Sequence, residues 1–279
     1  MHPPETGPVF AGSIPQVYAQ HLVPLIFEPY AADLASRVAR RQPARVLEIA
    51  AGTGVVTRHL ARVLPPGVPI VATDLSQPML DQAAAAGTER PVEWRQADAQ
   101  QLPFPDGSFD VVVCQFGAMF FPDKVRAFAE ARRVLRPGGG FIFNVWDRIE
   151  ENEFPDVILR AVRPILPDGG TPFMIRIPHG YHDAPAIARD LARAGFTQPP
   201  TVTTLAQRSH AESPRVPAVA FCQGTPMRAE LERLGPTGLT EATDLATAAI
   251  ASRFGPGVVD GKLQALVVAV EREEAAGAG

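Results

Sequence analysis

Four residues in the first third of the chain have the types and spacing to hold a small ligand. Glu48 precedes two glycines, Gly52 and Gly54, and Asp74 follows twenty residues after the second glycine. Glycine lacks the Cβ that forbids positive φ, so it permits a sharp turn and lets a ligand lie against the backbone. Ahead of it, Val46–Ala50 is a short apolar run broken only by Glu48, the pattern of a buried strand. After it, Val56, Leu60 and Leu64 recur four apart, the spacing of one helix face. The first N–H groups of such a helix have no partner inside it and point back at the turn. Strand, glycine turn and helix N-terminus together form a nucleotide site at the carboxyl edge of a parallel sheet. The next strand, Ile70–Ala72, ends at Asp74, where a carboxylate can accept both hydroxyls of a ribose.

Two nucleoside classes compete for such a site. A dinucleotide site wants a third glycine for close helix–strand packing, and here that place holds Thr57, which is β-branched. Glu48 would also set a negative charge near an anionic pyrophosphate. A carboxylate there suits a ligand with a positive group and no phosphate, and S-adenosylmethionine, with its ammonium and sulfonium, fits that description.

Four segments then carry a family resemblance. Val46–Gly54 resembles the first motif of the class I S-adenosylmethionine-dependent methyltransferases, an acid followed by a glycine-rich turn. Asp74-Leu75-Ser76-Gln77-Pro78-Met79-Leu80 resembles their ribose-binding strand end and following helix. Gln96–Phe104 resembles the adenine-binding segment, and Arg133-Val134-Leu135-Arg136-Pro137-Gly138-Gly139 the turn before the fifth strand. Together they span about Arg45 to Asp147, and the likeness is to the small-molecule, ubiquinone/menaquinone-biosynthesis-like subgroup. Ala50 departs from the pattern, since many members have glycine there.

The resemblance implies a cofactor site. Gly52 and Gly54, with Ala50 and Thr57 in the same turn, would approach the ligand, and Glu48 would lie near its ammonium. Asp74, beside Leu75, would hold the ribose, with Met79 packed on the adenine. Asp98 and the Ala99 amide would reach the adenine edge. The Gln115 carbonyl would meet the ammonium, and Phe116 or the Gln115 side chain would face the methyl acceptor. Tyr18 would close over the methionine end. If the acceptor is a hydroxyl, a base is needed, and His179, His182 and His210 all follow the fifth strand, where acceptor loops occur. No metal site is expected: no histidine pair has helical ligand spacing, and no acidic cluster follows the fourth strand.

These residues need a scaffold. Strand and helix patterns alternate from Val46 to Trp146, which implies a Rossmann-like, doubly wound α/β sheet. The resemblance makes it seven-stranded and mostly parallel, with the last strand antiparallel. Residues 1–42 form an N-terminal helical cap, in which Pro24 and Pro29 break the helix between Ile14 and Arg41, after a Pro/Gly-rich start, Met1–Gly12, expected to be mobile. Residues 43–210 form the core, including a proline-rich substrate loop, 148–183. Strand six is read at Val202–Ala206 and its partner only at Leu263–Val270, so 211–261 is a helical insertion, a lid carrying Phe221, Met227, Leu245, Ile250 and Phe254. Residues 262–279 add the last strand and tail. The same apolar side chains could instead extend the core or form a homodimer contact.

Composition bounds the rest. The 279 residues suffice for one large domain with an insertion, and 46% hydrophobic with 20% charged is ordinary for a globular protein. A net charge of −4 gives no basic footprint for nucleic acid, and no Asn-Pro-Pro-Tyr tetrad is present. No apolar run is long enough for a membrane span, no secretory signal is seen, and two cysteines in apolar settings suit a reducing cytoplasm. The expected function is methyl transfer from S-adenosylmethionine to a small, apolar or hydroxyl-bearing metabolite. A non-methyl reaction on the same cofactor, such as a cyclisation, is the alternative, and an NAD-dependent oxidoreductase is disfavoured by Thr57 and Glu48.

Overall fold

The fold is that of a computed structural model, which describes residues 14–166 and 171–274. The start Met1–Gly12 and the tail Ala275–Gly279 lie outside these residues. Seven strands form one sheet in the order β3-β2-β1-β4-β5-β7-β6. They are β1 (Val46–Ile49), β2 (Ile70–Asp74), β3 (Glu93–Gln96), β4 (Phe109–Gln115), β5 (Leu135–Trp146), β6 (Thr201–Ala211) and β7 (Val259–Glu271). The first five are parallel, and β7 lies between β5 and β6, antiparallel to both. The doubly wound, mostly parallel sheet expected from the alternation is therefore present.

β4 shows how the sheet divides the core. Val111 and Val113 face one apolar cluster, while Val112 and Cys114 face the other, because side chains alternate along a strand. Helix α5 (Lys124–Val134) and α8 (Ala184–Arg193) cover the second face. Both are opened by an aspartate: Asp123 accepts the Arg126 N–H at 2.9 Å and Asp183 the Ala186 N–H at 3.1 Å. Helix α3 (Val55–Val63) follows β1, and α4 (Gln77–Ala86) follows β2. Ser76 takes the N-cap position of α4 but makes no side-chain cap bond to it. Helix α5 ends at Val134, so glycines 138–140 do not end it but lie within β5, where a Cβ on Gly139 would stand 2.8 Å from the Arg136 carbonyl oxygen.

The N-terminal segment differs from the sequence reading. It is one continuous helical stretch: α1 (Ile14–Val17), a π-helical segment Tyr18–Phe27, and α2 (Glu28–Arg40). Pro24 sits inside the π segment, where bonds reach five residues back, as from Glu28 N–H to the Val23 carbonyl. The wider turn draws the carbonyl ladder away from the proline ring, so the helix survives. Pro29 sits in the first turn of α2, where no N–H is needed. The Ser209 hydroxyl, from β6, holds the Leu25 carbonyl at 2.7 Å.

Strands β6 and β7 also run further than their apolar pattern, pairing from Thr201↔Ala269 to Ala211↔Val259. Their outer ends alternate with charged residues such as Arg208, His210 and Asp260, which hides strand periodicity in the sequence. Between them lie α9 (Arg215–Gly224), α10 (Met227–Glu232) and α11 (Gly238–Phe254). Helix α11 packs on α9 and on α6 (Glu153–Val162), and α9 packs on the π segment. Phe221, Met227 and Ile250 are buried there, Phe254 meets Phe154 edge-on at 5.2 Å, and Leu245 is left exposed.

One close approach joins the turn after β1 to the chain just past β4. A Cβ on Gly117 would lie 2.5 Å from the Ala50 Cβ and 2.9 Å from the Cys114 Sγ, and Ala50 itself has φ +52°. Gly117→Ala should therefore cost about 1–3 kcal/mol by overpacking. Ala50→Gly removes both the opposing methyl and the positive-φ strain, so the double variant should recover at least half of that loss in urea unfolding. Strict additivity would show that the two positions do not oppose each other.

Candidate active site

The turn after β1 is built from three left-handed residues, Ala50 (φ +52°), Gly52 (+55°) and Gly54 (+78°). The two glycines serve different ends. A Cβ on Gly52 would meet nothing within 4 Å, so that side of the turn is open. A Cβ on Gly54 would stand 2.8 Å from the Trp94 ring and 3.1 Å from the Ala83 Cβ, so its smallness allows packing. Asp74 fastens the turn: its Oδ2 accepts the Gly52 N–H and its Oδ1 the Ser76 N–H, both at 2.8 Å. Each oxygen keeps a lone pair for a further donor, and burial raises the carboxyl above its ordinary pKa against the pull of these N–H groups.

Glu48 lies behind the turn rather than on it. It is 1% exposed, and the Thr57 hydroxyl donates to its Oε2 at 2.5 Å. Burial pushes its carboxyl up to about 8, opposed by the Thr57 bond and the Arg58 charge. Thr57 thus has a task that a third glycine could not perform, holding a buried acid in place. Leu75, beside Asp74, is 68% exposed at the sheet edge, while Met79 is buried on α4. Past β3, the Ala97 N–H bonds the Asp74 carbonyl at 3.0 Å, and Asp98 shapes the following loop by accepting the Gln100 N–H at 2.8 Å. Ala99, next to it, is half-buried.

Next to this crevice is an apolar pocket, partly open to solvent. Phe116, at φ +50° just past β4, stacks on Trp146 at the end of β5, with ring centres 3.7 Å apart and planes 10° apart. Tyr30 of α2 meets both rings edge-on at 5.3 Å. Tyr18 and Phe27 of the π segment stack at 5.1 Å and line the same cavity with Phe120, Phe173 of the short helix α7 (Phe173–Arg176), and Phe221 of α9. Gln115 donates to the Phe27 carbonyl at 3.4 Å, while its buried Oε1 and the buried Thr53 Oγ1 have no partner among the described residues.

The three candidate histidines separate. His179 is buried, lines the cavity and bonds the Asp147 carbonyl through Nδ1 at 2.7 Å. His182 is exposed and bonds the His179 carbonyl, and His210 is exposed on β6, paired with Asp260 at 2.7 Å. Neither lines the cavity. Phe27, Phe120, Trp146 and Phe173 escaped the sequence reading, because aromatic residues that line a pocket carry the same pattern as aromatic residues in a core. Their signal was position, since Phe120 and Trp146 lie just at or past the carboxyl ends of β4 and β5.

The methyltransferase domain family matches residues 47–143. Over that stretch the chain is similar to methyltransferase domains. The ubiquinone/menaquinone biosynthesis C-methyltransferase of Saccharophagus degradans is 41% identical over 99 residues, 34% of this chain and 40% of that protein. The demethylmenaquinone methyltransferase of Thermus thermophilus is 42% identical over 114 residues, 40% of this chain and 50% of that one. The chain thus spans half or less of the length of these curated relatives. Among solved structures, the YcgJ protein of a Bacillus species superposes with a TM-score of 0.56 at 18% identity, covering 88% of this chain and all of that one, which shows a shared fold. The site fits S-adenosylmethionine. The open space over Gly52, the lone pairs of Asp74 and the exposed Leu75 side chain suit a ribose beside a flat base. No helix among the described residues is long and apolar enough to cross a membrane.

The raised Glu48 carboxyl makes stability pH-dependent in a definite direction. The folded state holds a proton that the unfolded state releases between its ordinary value of about 4.5 and the folded value of about 8. Stability contributed by this group therefore falls as pH rises through that window, by at most about 1.4 kcal/mol per pH unit. Glu48→Gln removes the titration, so in ligand-free protein its stability relative to the parent should climb from pH 5.5 to pH 8. Urea unfolding at the two pH values measures this, and an unchanged difference would show that Glu48 is ionised in the fold throughout.

Proposed function

We propose that this protein transfers a methyl group from S-adenosylmethionine to a small, mostly apolar acceptor held in the aromatic cavity. The observation that carries the reading is that the two ligand spaces share a wall. Phe116 lines the cavity while its neighbour Gly117 abuts Ala50 of the cofactor turn, and Tyr18 lines the cavity within the field of Asp74. When bound, the cofactor supplies an electrophilic methyl on its sulfonium. The protein's part is to bind, to align and to exclude water. Asp74 would accept the ribose hydroxyls, Leu75 and Met79 would flank the adenine, and the loop of Asp98 and Ala99 would meet its edge. Glu48, held by Thr57, would complement the ammonium through the turn.

The cavity supports a lid. Its walls come from the π segment, from the stretch after β5 and from α9, so the helices between β6 and β7 would close over the acceptor. The reported relatives are, by name, a C-methyltransferase of ubiquinone/menaquinone biosynthesis and a demethylmenaquinone methyltransferase. Their likeness, however, reaches only the cofactor half. Of the cavity residues, only Phe116 and Phe120 fall within 47–143. The acceptor is therefore read from the cavity and not carried over from them. The net charge of −4 favours such a metabolite over nucleic acid, and two buried free thiols suit a reducing cytoplasm.

Asp74→Ala tests the cofactor site. It removes two charge-assisted hydrogen bonds of about 1.5–3 kcal/mol each in gross terms. Calorimetry with S-adenosylhomocysteine should show at least a tenfold loss of affinity, about 1.4 kcal/mol, in a variant that still melts cooperatively. Unchanged affinity would overturn the assignment. Transfer of labelled methyl to a metabolite extract would then identify the acceptor.

A further inference from the structure

The cavity wall is almost wholly apolar, and its polar side chains are nearly all engaged. Asn152 donates to the Asp147 and Arg148 carbonyls and accepts the Gln264 N–H at 3.0 Å. The Thr225 hydroxyl donates to the Phe221 carbonyl at 2.6 Å and accepts the Met227 N–H at 3.2 Å. Tyr18 has contacts of its own and lies in the field of Asp74. Among the wall's side chains that carry a hydrogen-bond acceptor, His179 is the exception. It is 4% exposed, and its Nδ1 lies 2.7 Å from the Asp147 carbonyl oxygen. A carbonyl can only accept, so Nδ1 carries the proton and Nε2 carries a bare lone pair. Among the described residues nothing donates to that lone pair.

We propose that His179 selects the acceptor: its Nε2 receives a hydroxyl or N–H of a flat, otherwise apolar ring molecule held at the Phe116–Trp146 stack. The inference rests on the cavity being the acceptor site. A lone acceptor atom in an apolar pocket favours a neutral donor, because an unpartnered polar atom is costly there and no carboxylate lines the cavity to pair with a cation. Phe116 and Trp146, stacked on each other and flanked by Tyr30, line the cavity with aromatic carbon, a wall suited to an apolar ring. His179 is a positioning residue in this scheme rather than a strong base. Burial pushes its imidazole down to about 4, and the neighbouring titratable groups are Asp147, Glu150 and His182. The ring therefore stays neutral, and its lone pair available, through the physiological range.

The test uses the full chain loaded with S-adenosylhomocysteine and two probes, 1-naphthol and 1-methoxynaphthalene, measured by equilibrium dialysis. The parent protein should prefer the naphthol about tenfold. The preference should be flat from pH 6 to pH 8. His179→Phe should bring it below about twofold while binding of the methoxy probe stays within about threefold, and His179→Gln, which keeps an acceptor oxygen, should restore part of it. An unchanged preference in His179→Phe, a preference that fades as pH falls to 6, or no binding of either probe by the loaded parent would each overturn the proposal. Failure of S-adenosylhomocysteine itself to bind would instead overturn the cofactor reading, so the two failures are separable.

Discussion

The two hydrogen bonds into the Asp74 carboxylate hold the site together. Through Gly52 they tie the end of β2 to the turn after β1, and through Ser76 they set the start of α4. The Ala97 N–H brings the end of β3 to the same residue. Three strand ends are thus locked by one side chain and its backbone. The lock adds to the backbone bonds from the Ala51 N–H to the Thr73 carbonyl and from the Gly54 N–H to the Ala51 carbonyl. It helps offset the strain of Ala50 at positive φ and the cost of ordering glycine. The acid that a nucleoside would need is already doing structural work before any ligand arrives.

A second constraint joins this crevice to the cavity. Gly117 must be small because Ala50 presses on it, and the chain then swings Phe116 at positive φ onto Trp146. Tyr30 and Phe27 brace the stacked pair from the N-terminal helix. The π segment makes this possible, because its wider turn places Tyr18, Leu22, Ile26 and Phe27 all along one cavity wall. Ser209 and Gln115 anchor its carbonyls from β6 and β4. The helix over the cavity is thus fastened to both the core and the far edge of the sheet.

What could be read from the sequence follows from how narrowly each position is constrained. Gly52, Gly54 and Asp74 were legible because backbone geometry and charge placement admit few residue types there. The parallel strands were legible because both faces are buried, giving dense apolar runs such as Val111–Cys114. Pro24 misled, because proline signals a break in an α-helix but not in a π-helix, and no residue type marks the latter. The lengths of β6 and β7 were hidden by charged residues along their exposed reach. Glu48 was legible as an acid, but its depth behind Thr57 was not, since burial is a property of the packed fold. The cavity was the least legible part, because its aromatic walls come from distant segments and resemble core.

Glu48 and His179 show one physical rule used twice. Each is an ionisable group taken out of water, each is held by a single short hydrogen bond, and burial favours the neutral form of both. The signs differ: the acid is raised and the imidazole lowered. Beside Glu48 a cation would reverse the effect of burial and favour the carboxylate, so that position suits a positively charged cofactor. Around His179 burial outweighs the pull of the Asp147 and Glu150 carboxylates, so the ring stays neutral and suits a neutral donor. In the proposed reading, a charged ligand space and an uncharged one would then be separated by the width of Phe116 and Gly117. Methyl transfer from a cation to an apolar acceptor needs such a division, because the cationic donor must be complemented while the acceptor is kept dry.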